Sequence, residues 1–245
     1  MNCKNCNAEV NGNFCSNCGQ KTNVGIIDFK YLLSELNNSF FQVDHGFFYT
    51  IKQLAIAPGN SIKDFINGKR KNYFKPITFV LVLSTVYALI AGFFDERTML
   101  GDFVSGWNNY ENSKVGSNDK ILVFQWLVKN YAYAMLLFLP VFSFGSYLSF
   151  RKHKYNYFEH LVLNSFITGQ QAVIYTFFLI LKSITKGSVF IETIYMLFVL
   201  GYVFWSYLQF FNNYKKLKTI LLTILTYVFY LIFMSLIGLV LSLLI

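Results

Sequence analysis

The chain has 245 residues, of which 55% are hydrophobic and 13% charged, where an average soluble protein has about a quarter charged. With 28 Phe, 17 Tyr, 3 Pro and a mean hydropathy of +0.43, it carries more apolar surface than a soluble domain hides. Composition thus excludes disorder for most of the chain and favours a membrane protein, in which the net charge of +9 bears on topology and lipid contact.

All four cysteines lie near the N-terminus, as Cys3, Cys6, Cys15 and Cys18, spaced C-x2-C-x8-C-x2-C. Each C-x2-C pair forms a knuckle that aims two sulfurs at one ion. Two knuckles complete a tetrahedral thiolate site of the zinc-ribbon kind, with one structural Zn(2+). Asn11-Gly12 is expected to turn the linker as a hairpin, and Gly19 to fold the backbone around the metal. A redox dithiol and a pair of disulfides are the alternatives. No apolar h-region follows Met1, which places the N-terminus in a reducing cytosol, where thiols so spaced bind metal. With all four positions filled, catalysis at the metal is not expected. Residues 1–24 make up this module, and its small core makes its folding depend on the ion. Lys4, Lys21 and Phe14 are too few to form a nucleic-acid footprint, and no nucleic-acid partner is expected.

Residues 25–75 read as amphipathic helices. Phe29, Leu32, Leu33, Leu36 and Phe40, then Phe47, Phe48, Ile51, Leu54 and Ala55, recur at helical spacing with one apolar face. Asp28 caps the first helix, and Asp44 or Gly46 marks the break before the second, with His45 a turn residue. Neither stretch is long enough to span a bilayer, so both are expected in the interface or beneath a bundle. Pro58-Gly59 ends the second helix, and Ser61 starts a third with Asp64 as its capping-box partner. Lys69, Arg70, Lys71 and Lys75, with Tyr73, form a cationic cluster before the first span that suits anionic head groups.

Residues 76–245 contain five spanning candidates, at 76–94, 131–150, 161–181, 189–211 and 219–244, each long enough for a hydrocarbon core of about 30 Å. Nine Lys and Arg precede the first span, three lie between the second and third, and three between the fourth and fifth; six lie on the other side. The positive-inside rule places the N-terminus in the cytoplasm and the C-terminus outside. A reducing compartment for the cysteines agrees. In the first loop ENSKVGSNDK is a solvated stretch and ILVFQWLV (121–128) a short interfacial helix.

The third span carries polar residues within the membrane. Asn164, Thr168 and Gln171 share one face, and Gln170 and Gln171 fall near the midplane. Such groups need partners. Interhelical hydrogen bonding, with Gly169 allowing close approach, is the plain reading, and a small-solute path is the alternative. No Asp, Glu, Lys or Arg lies mid-membrane, so an ion-coupled pump lacks its usual parts. Glu192 lies near the outer end of the fourth span. Glu159 and His160 begin the third span, within reach of Arg151, Lys152 and Lys154. There is no Gly-rich phosphate loop, H-E-x-x-H or G-x-S-x-G, and no enzymatic activity is expected.

CKNCNAEVNGNFCSNCGQK is similar to the short zinc ribbons that open many bacterial membrane proteins. TIKQLAIAPGNSIKDFINGKRKNYFKP resembles an uncharacterised bacterial membrane-protein family, a domain of unknown function with a ribbon, this PG…GKR block and several spans. The resemblance covers residues 1 to 95 best and implies no activity. The five-span layout and FEHLV (158–162) are similar to Yip-type membrane proteins, which associate with trafficking GTPases. The expectation is an all-α multispanning inner-membrane protein of bacteria, with a zinc ribbon and cytoplasmic amphipathic helices that form a platform. Its partners would be anionic lipid, a cytosolic protein or a second copy of the chain. A small-solute transporter or channel using the third span is the alternative.

Overall fold

The computed structural model describes residues 1–37, 46–98, 100–101, 125–185 and 189–244. His45, ENSKVGSNDK and the first part of ILVFQWLV lie outside the described residues, as does the side chain of Glu192; 125–129 are helical. The named elements are helices: α1 (Phe29–Asn37), α2 (Gly46–Ile56), α3 (Pro58–Ile66), α4 (Pro76–Phe93), α5 (Tyr131–Ser149), α6 (Tyr157–Ile184), α7 (Val189–Phe210) and α8 (Lys216–Leu244). Among the described residues the only extended pairing is two isolated antiparallel bridges, Asn2 with Glu9 and Phe14 with Lys21.

Among the described residues five helices are long and apolar enough to cross a membrane: Pro76–Phe93, Tyr131–Ser149, Tyr157–Ile184, Thr193–Phe210 and Lys216–Ile237. They support a multi-pass membrane protein. The third begins earlier than the sequence suggests, because Asn156 caps it. Its side chain accepts from the Glu159 N–H at 2.9 Å, and the Glu159 carboxylate accepts from the Asn156 N–H at 2.7 Å. Glu159 therefore serves the helix start and not the Arg151–Lys154 cluster. Asp28 caps α1 as expected, accepting from the Tyr31 N–H at 2.7 Å.

α6 is the centre of the bundle and touches α2, α3, α4, α5 and α7. Its Gly169 admits the Phe79 ring of α4, which a Cβ would overlap. α8 lies on the outside against α5 and α7, with Leu217, Leu221, Leu231 and Leu236 exposed. Gly145 lets it approach α5, since a Cβ there would lie 3.1 Å from the Thr226 carbonyl oxygen.

The α2–α3 pair departs most from expectation. α3 starts at Pro58, not Ser61. Pro at the first helical position needs no N–H partner, and Ala57 precedes it with no side-chain cap, so no Ser61–Asp64 capping box forms. Ser61 instead donates to the Gln53 carbonyl at 3.2 Å. The two helices pack together as a V, and the Tyr73 ring touches both, 5.3 Å from Tyr49 and 6.1 Å from Phe65. Thr50, Leu54, Pro58, Gly59, Ile62 and Phe65 are buried. The V enters the bundle beside α6 and α7. Phe65 packs edge-on against Phe166 at 5.1 Å, and the Tyr202 hydroxyl donates to the Leu54 carbonyl at 3.1 Å. Tyr202 lies eight residues before the end of α7, which places this contact about 12 Å along the span. At Gly59 the V presses on α7 so closely that a Cβ would overlap the backbone of Ser206 and Phe210.

Candidate metal centre and the loop beneath it

Each cysteine pair is folded by the same short-range bonds. In the first knuckle Cys3 N–H donates to the Ala8 carbonyl and Asn7 N–H to the Cys3 carbonyl, both at 2.9 Å. In the second, Cys15 N–H donates to the Gln20 carbonyl and Gly19 N–H to the Cys15 carbonyl, both at 2.8 Å. The residue after each second cysteine is left-handed, Asn7 at φ 65° and Gly19 at φ 71°. Asn and Gly are the residue types that adopt this conformation readily. The module is thus a repeat with a twelve-residue offset. The bridges close each knuckle separately, in place of the expected hairpin across Asn11-Gly12, whose linker instead joins two self-contained turns.

The repeat brings the four sulfurs together. Cys3 and Cys18 Sγ are 3.6 Å apart, Cys6 and Cys15 Sγ are 3.5 Å apart, and all four lie within 4.8 Å of one another. The cysteines are free thiols. A tetrahedral metal with thiolate bonds of about 2.3 Å requires sulfurs about 3.8 Å apart, so the four could hold a metal ion with little movement. Backbone N–H groups already face the sulfurs. Those of Cys6 and Asn5 lower the Cys3 thiol below its usual range, and that of Ala8 lowers Cys6. Burial pushes Cys18 up to about 11 without an ion. Cys3, Cys15 and Val10, packed by Cys6, Ala8 and Cys18, form a small core separate from that of the bundle.

The module rests on the loop between α3 and α4 through Gln20, a residue that sequence reasoning did not single out. Its side chain is 5% exposed. Its Nε2 donates to the Gly68 carbonyl at 2.8 Å, and its Oε1 accepts from the Arg70 and Lys71 N–H groups, each at 3.0 Å. Gly68 is left-handed at φ 110° and faces the Lys4 stem. Gln20 directly follows the left-handed Gly19, so the knuckle itself aims it at the loop.

The four cations of the juxtamembrane cluster have different surroundings. Arg70 is a structural clamp: Nε donates to the Phe65 carbonyl at 3.2 Å and Nη2 to the Gly25 carbonyl at 3.0 Å. Its guanidinium also lies 4.5 Å from the centre of the Tyr31 ring. Lys69 pairs with Asp64 at 3.0 Å, both about half exposed. Lys71 is exposed, with its stem beside Gly19. Lys75 is half-buried and precedes α4.

Within the membrane, Asn164 is 1% exposed and belongs to a buried chain across three spans. Its Nδ2 donates to Ser143 Oγ at 3.2 Å, and its Oδ1 accepts from the Tyr207 hydroxyl at 2.7 Å. Ser146 Oγ lies 3.0 Å from that hydroxyl and 2.7 Å from His160 Nδ1. Each contact needs one proton. All are supplied if His160 carries its proton on Nδ1, so the network assigns that tautomer. His160 Nε2 is left without a partner beside Phe150 and Phe211. The imidazole thus turns into the bundle, away from the expected Arg151–Lys154 partners. Thr168 and Gln171 are half-buried, while Gln170 is 4% exposed and its Oε1 has no hydrogen-bond partner. Sequence reasoning missed Tyr207, Ser143 and Ser146. An aromatic in an aromatic-rich helix and two serines in an apolar one give no signal of their own.

The class of protein is therefore a multi-pass, all-helical membrane protein with a four-cysteine cluster at its N-terminus. A family model described as a protein of unknown function (DUF3667) matches residues 44–88, the stretch that holds α2, α3, the basic loop and most of α4. No curated protein and no solved structure matches the chain.

Proposed function

We propose that this chain is a non-enzymatic membrane protein whose four-cysteine module holds one structural zinc ion. With the α2–α3 V, the module forms a rigid cytoplasmic platform for contact with anionic head groups or a cytosolic protein. The three-bonded Gln20 contact carries this reading, because it ties the module to the basic loop and presents the cations of both as one surface. Lys4, Lys21, Lys69 and Lys71 are exposed there, as are Arg151, Lys152, Lys154 and Lys215 in the two loops at the same end of the bundle and Lys216 and Lys218 in the first turn of α8. An all-thiolate set suits zinc among abundant metals, and a reduced cytosol suits both the thiols and the excess of cations. Arg70 serves the platform as a clamp, so head groups would meet the exposed Lys71 and the Asp64-paired Lys69. A solute path along Asn164, Thr168 and Gln171 has no observation in its favour, since the Asn164 amide is taken up by Ser143 and Tyr207.

Elemental analysis of detergent-purified protein tests this reading, together with lipid retention from mixed phosphatidylglycerol and phosphatidylcholine. The expected result is about one zinc per chain, lost in Cys3→Ser/Cys6→Ser along with preferential retention of the anionic lipid. Absence of zinc with oxidised cysteines, or lipid retention indifferent to head-group charge and unaltered by the variant, would overturn it.

A further inference from the structure

The loop between α5 and α6 and the loop between α7 and α8 are locked together by aromatic rings. Phe150 stacks on Phe211 at 4.1 Å, Tyr155 meets Phe210 at 4.6 Å, and the His153 ring stands edge-on to Tyr214 at 3.7 Å between centres. Lys152 and Lys154 flank His153, and Lys215 follows Tyr214, so each lies one residue, about 3.8 Å of backbone, from that contact. The Lys218 Nζ lies 5.8 Å from the centre of the Tyr214 ring. With Arg151 and Lys216 this gathers six exposed cations, three from each side of the contact. Neither 151–156 nor 211–218 contains an Asp or Glu, and the next acid, Glu159, is spent on the Asn156 cap. Among the described residues no acidic side chain pairs with any of the six. Like charges so close repel, and the packed rings keep the loops from spreading apart to relieve them. A bound polyanion relieves them instead.

Position narrows the anion. Both loops leave the bundle at the ends of spans, the level at which the phosphates of a leaflet lie. Below the cations, Leu217, Leu221, Leu225 and Val228 form an exposed apolar stripe down α8. A soluble phosphate has no use for that stripe, whereas an acyl chain does. We propose that the two loops together bind one phospholipid whose head group carries two phosphates. Arg151, Lys152 and Lys154 hold one phosphate, Lys215, Lys216 and Lys218 hold the other, and an acyl chain follows the α8 stripe. The proposal rests on the head-group half of the platform reading and needs neither the cysteine module nor its metal.

The test uses detergent-purified full-length protein in mixed micelles of tetraoleoyl cardiolipin and dioleoyl phosphatidylglycerol at equal phosphate, and reads the lipid that stays bound after washing. Cardiolipin should be retained over phosphatidylglycerol by about five-fold, the effect of a second phosphate contact of about 1 kcal/mol. Lys152→Gln/Lys154→Gln and Lys215→Gln/Lys216→Gln should each abolish that preference, because either change empties one of the two phosphate positions. All four side chains are exposed, so the melting temperature should hold. Lys30→Gln/Lys52→Gln removes the same charge from exposed positions of α1 and α2 and should leave the preference intact. Cys3→Ser/Cys6→Ser should leave it intact as well, whatever that variant does to metal content and to phosphatidylglycerol retention, which separates failure of this site from failure of the platform. Equal retention of the two lipids, a preference that survives either loop variant, or one lost in the Lys30/Lys52 or the cysteine variant would each overturn the proposal. So would displacement of cardiolipin by sodium pyrophosphate but not by sodium chloride of equal ionic strength, which would assign the site to a soluble phosphate.

Discussion

Replacing Gln20 with alanine isolates the joint between the cysteine module and the membrane bundle. The change deletes three hydrogen bonds and leaves the Gly68 carbonyl and the Arg70 and Lys71 amides without their partner. At about 0.5–1.5 kcal/mol net for each bond, the loss lies between about 1.5 and 4.5 kcal/mol. Arg70 and Lys71 sit at a partly exposed edge where water replaces part of what is lost, so about 2 kcal/mol is the working figure, or roughly a thirty-fold change in the docking equilibrium. Hydrogen exchange of the detergent-purified protein reads this directly, because the Arg70 and Lys71 amides are held by the Gln20 side-chain Oε1 itself. Their exchange should accelerate by about that factor if it proceeds through undocking. The Phe74 amide is an internal control, since it is bonded to Thr50 Oγ1 at 2.7 Å and not to the module. Metal content should not change, because the sulfurs are gathered by bonds inside each knuckle. Unchanged exchange at Arg70 and Lys71 would refute the claim that Gln20 is the joint. Equal acceleration at Phe74 would show a general loosening of the bundle instead.

Three further outcomes follow from the same contacts. Gly59→Ala places a Cβ against the Ser206 and Phe210 backbones, which cannot rotate away; a loss of about 3 kcal/mol or more is expected, read as a lower melting temperature in detergent. Tyr207→Phe strands the Asn164 carbonyl and should cost about 1–3 kcal/mol, and Asn164→Leu in the same chain should recover part of it. Simple additivity of the two changes would refute the direct bond. Burial, with a smaller effect from Lys218, holds the His153 imidazole below its ordinary pKa, so below about 6.5 the unfolded chain binds the proton more readily than the folded one. Stability should therefore fall as pH drops from neutral through 6.5, and His153→Phe should make that part of the profile less steep in thermal melts.

Class and element content were legible in the sequence because they rest on composition and on short-range pattern. Apolar runs of spanning length fix five helices, and two C-x2-C pairs announce a four-thiol cluster whatever follows them. Asp28 was readable as a cap because capping is local. Ser61 was misread for the complementary reason: its spacing to Asp64 satisfies the capping-box pattern, but Pro58 had already started the helix and Ser61 faces Gln53 across the V. The 25–75 region was legible as amphipathic, yet not as inserted, since apolar periodicity specifies a buried face without saying what buries it. Gln20, Tyr207 and the use of Arg70 as a clamp were not legible at all. Gln20 meets its loop 48 to 51 residues away, and Tyr207 meets Asn164 at a separation of 43. No local pattern encodes pairings of that range.

The segment that the family model matches is the part of the fold that other parts need in order to meet. Residues 44–88 include Gly59, which presses on the α7 backbone, and the loop of Gly68 to Lys71, whose Gly68 carbonyl and Arg70 and Lys71 amides are bonded by Gln20. They also include Phe65 and Phe79, which close on Phe166 from two elements, at 5.1 and 5.9 Å between ring centres. Force or motion at the cysteine module thus has a packed route to the centre of the bundle through Gln20, the basic loop, α3 and Phe166. A conformational change that moved the module as a unit would have to shift α3 against α7 at Gly59, where the fit leaves no slack. The joint therefore favours a module held rigidly on the bundle over one that swings on a tether, and this is why the Gln20 and Gly59 substitutions, at opposite ends of α3, test the same mechanical unit.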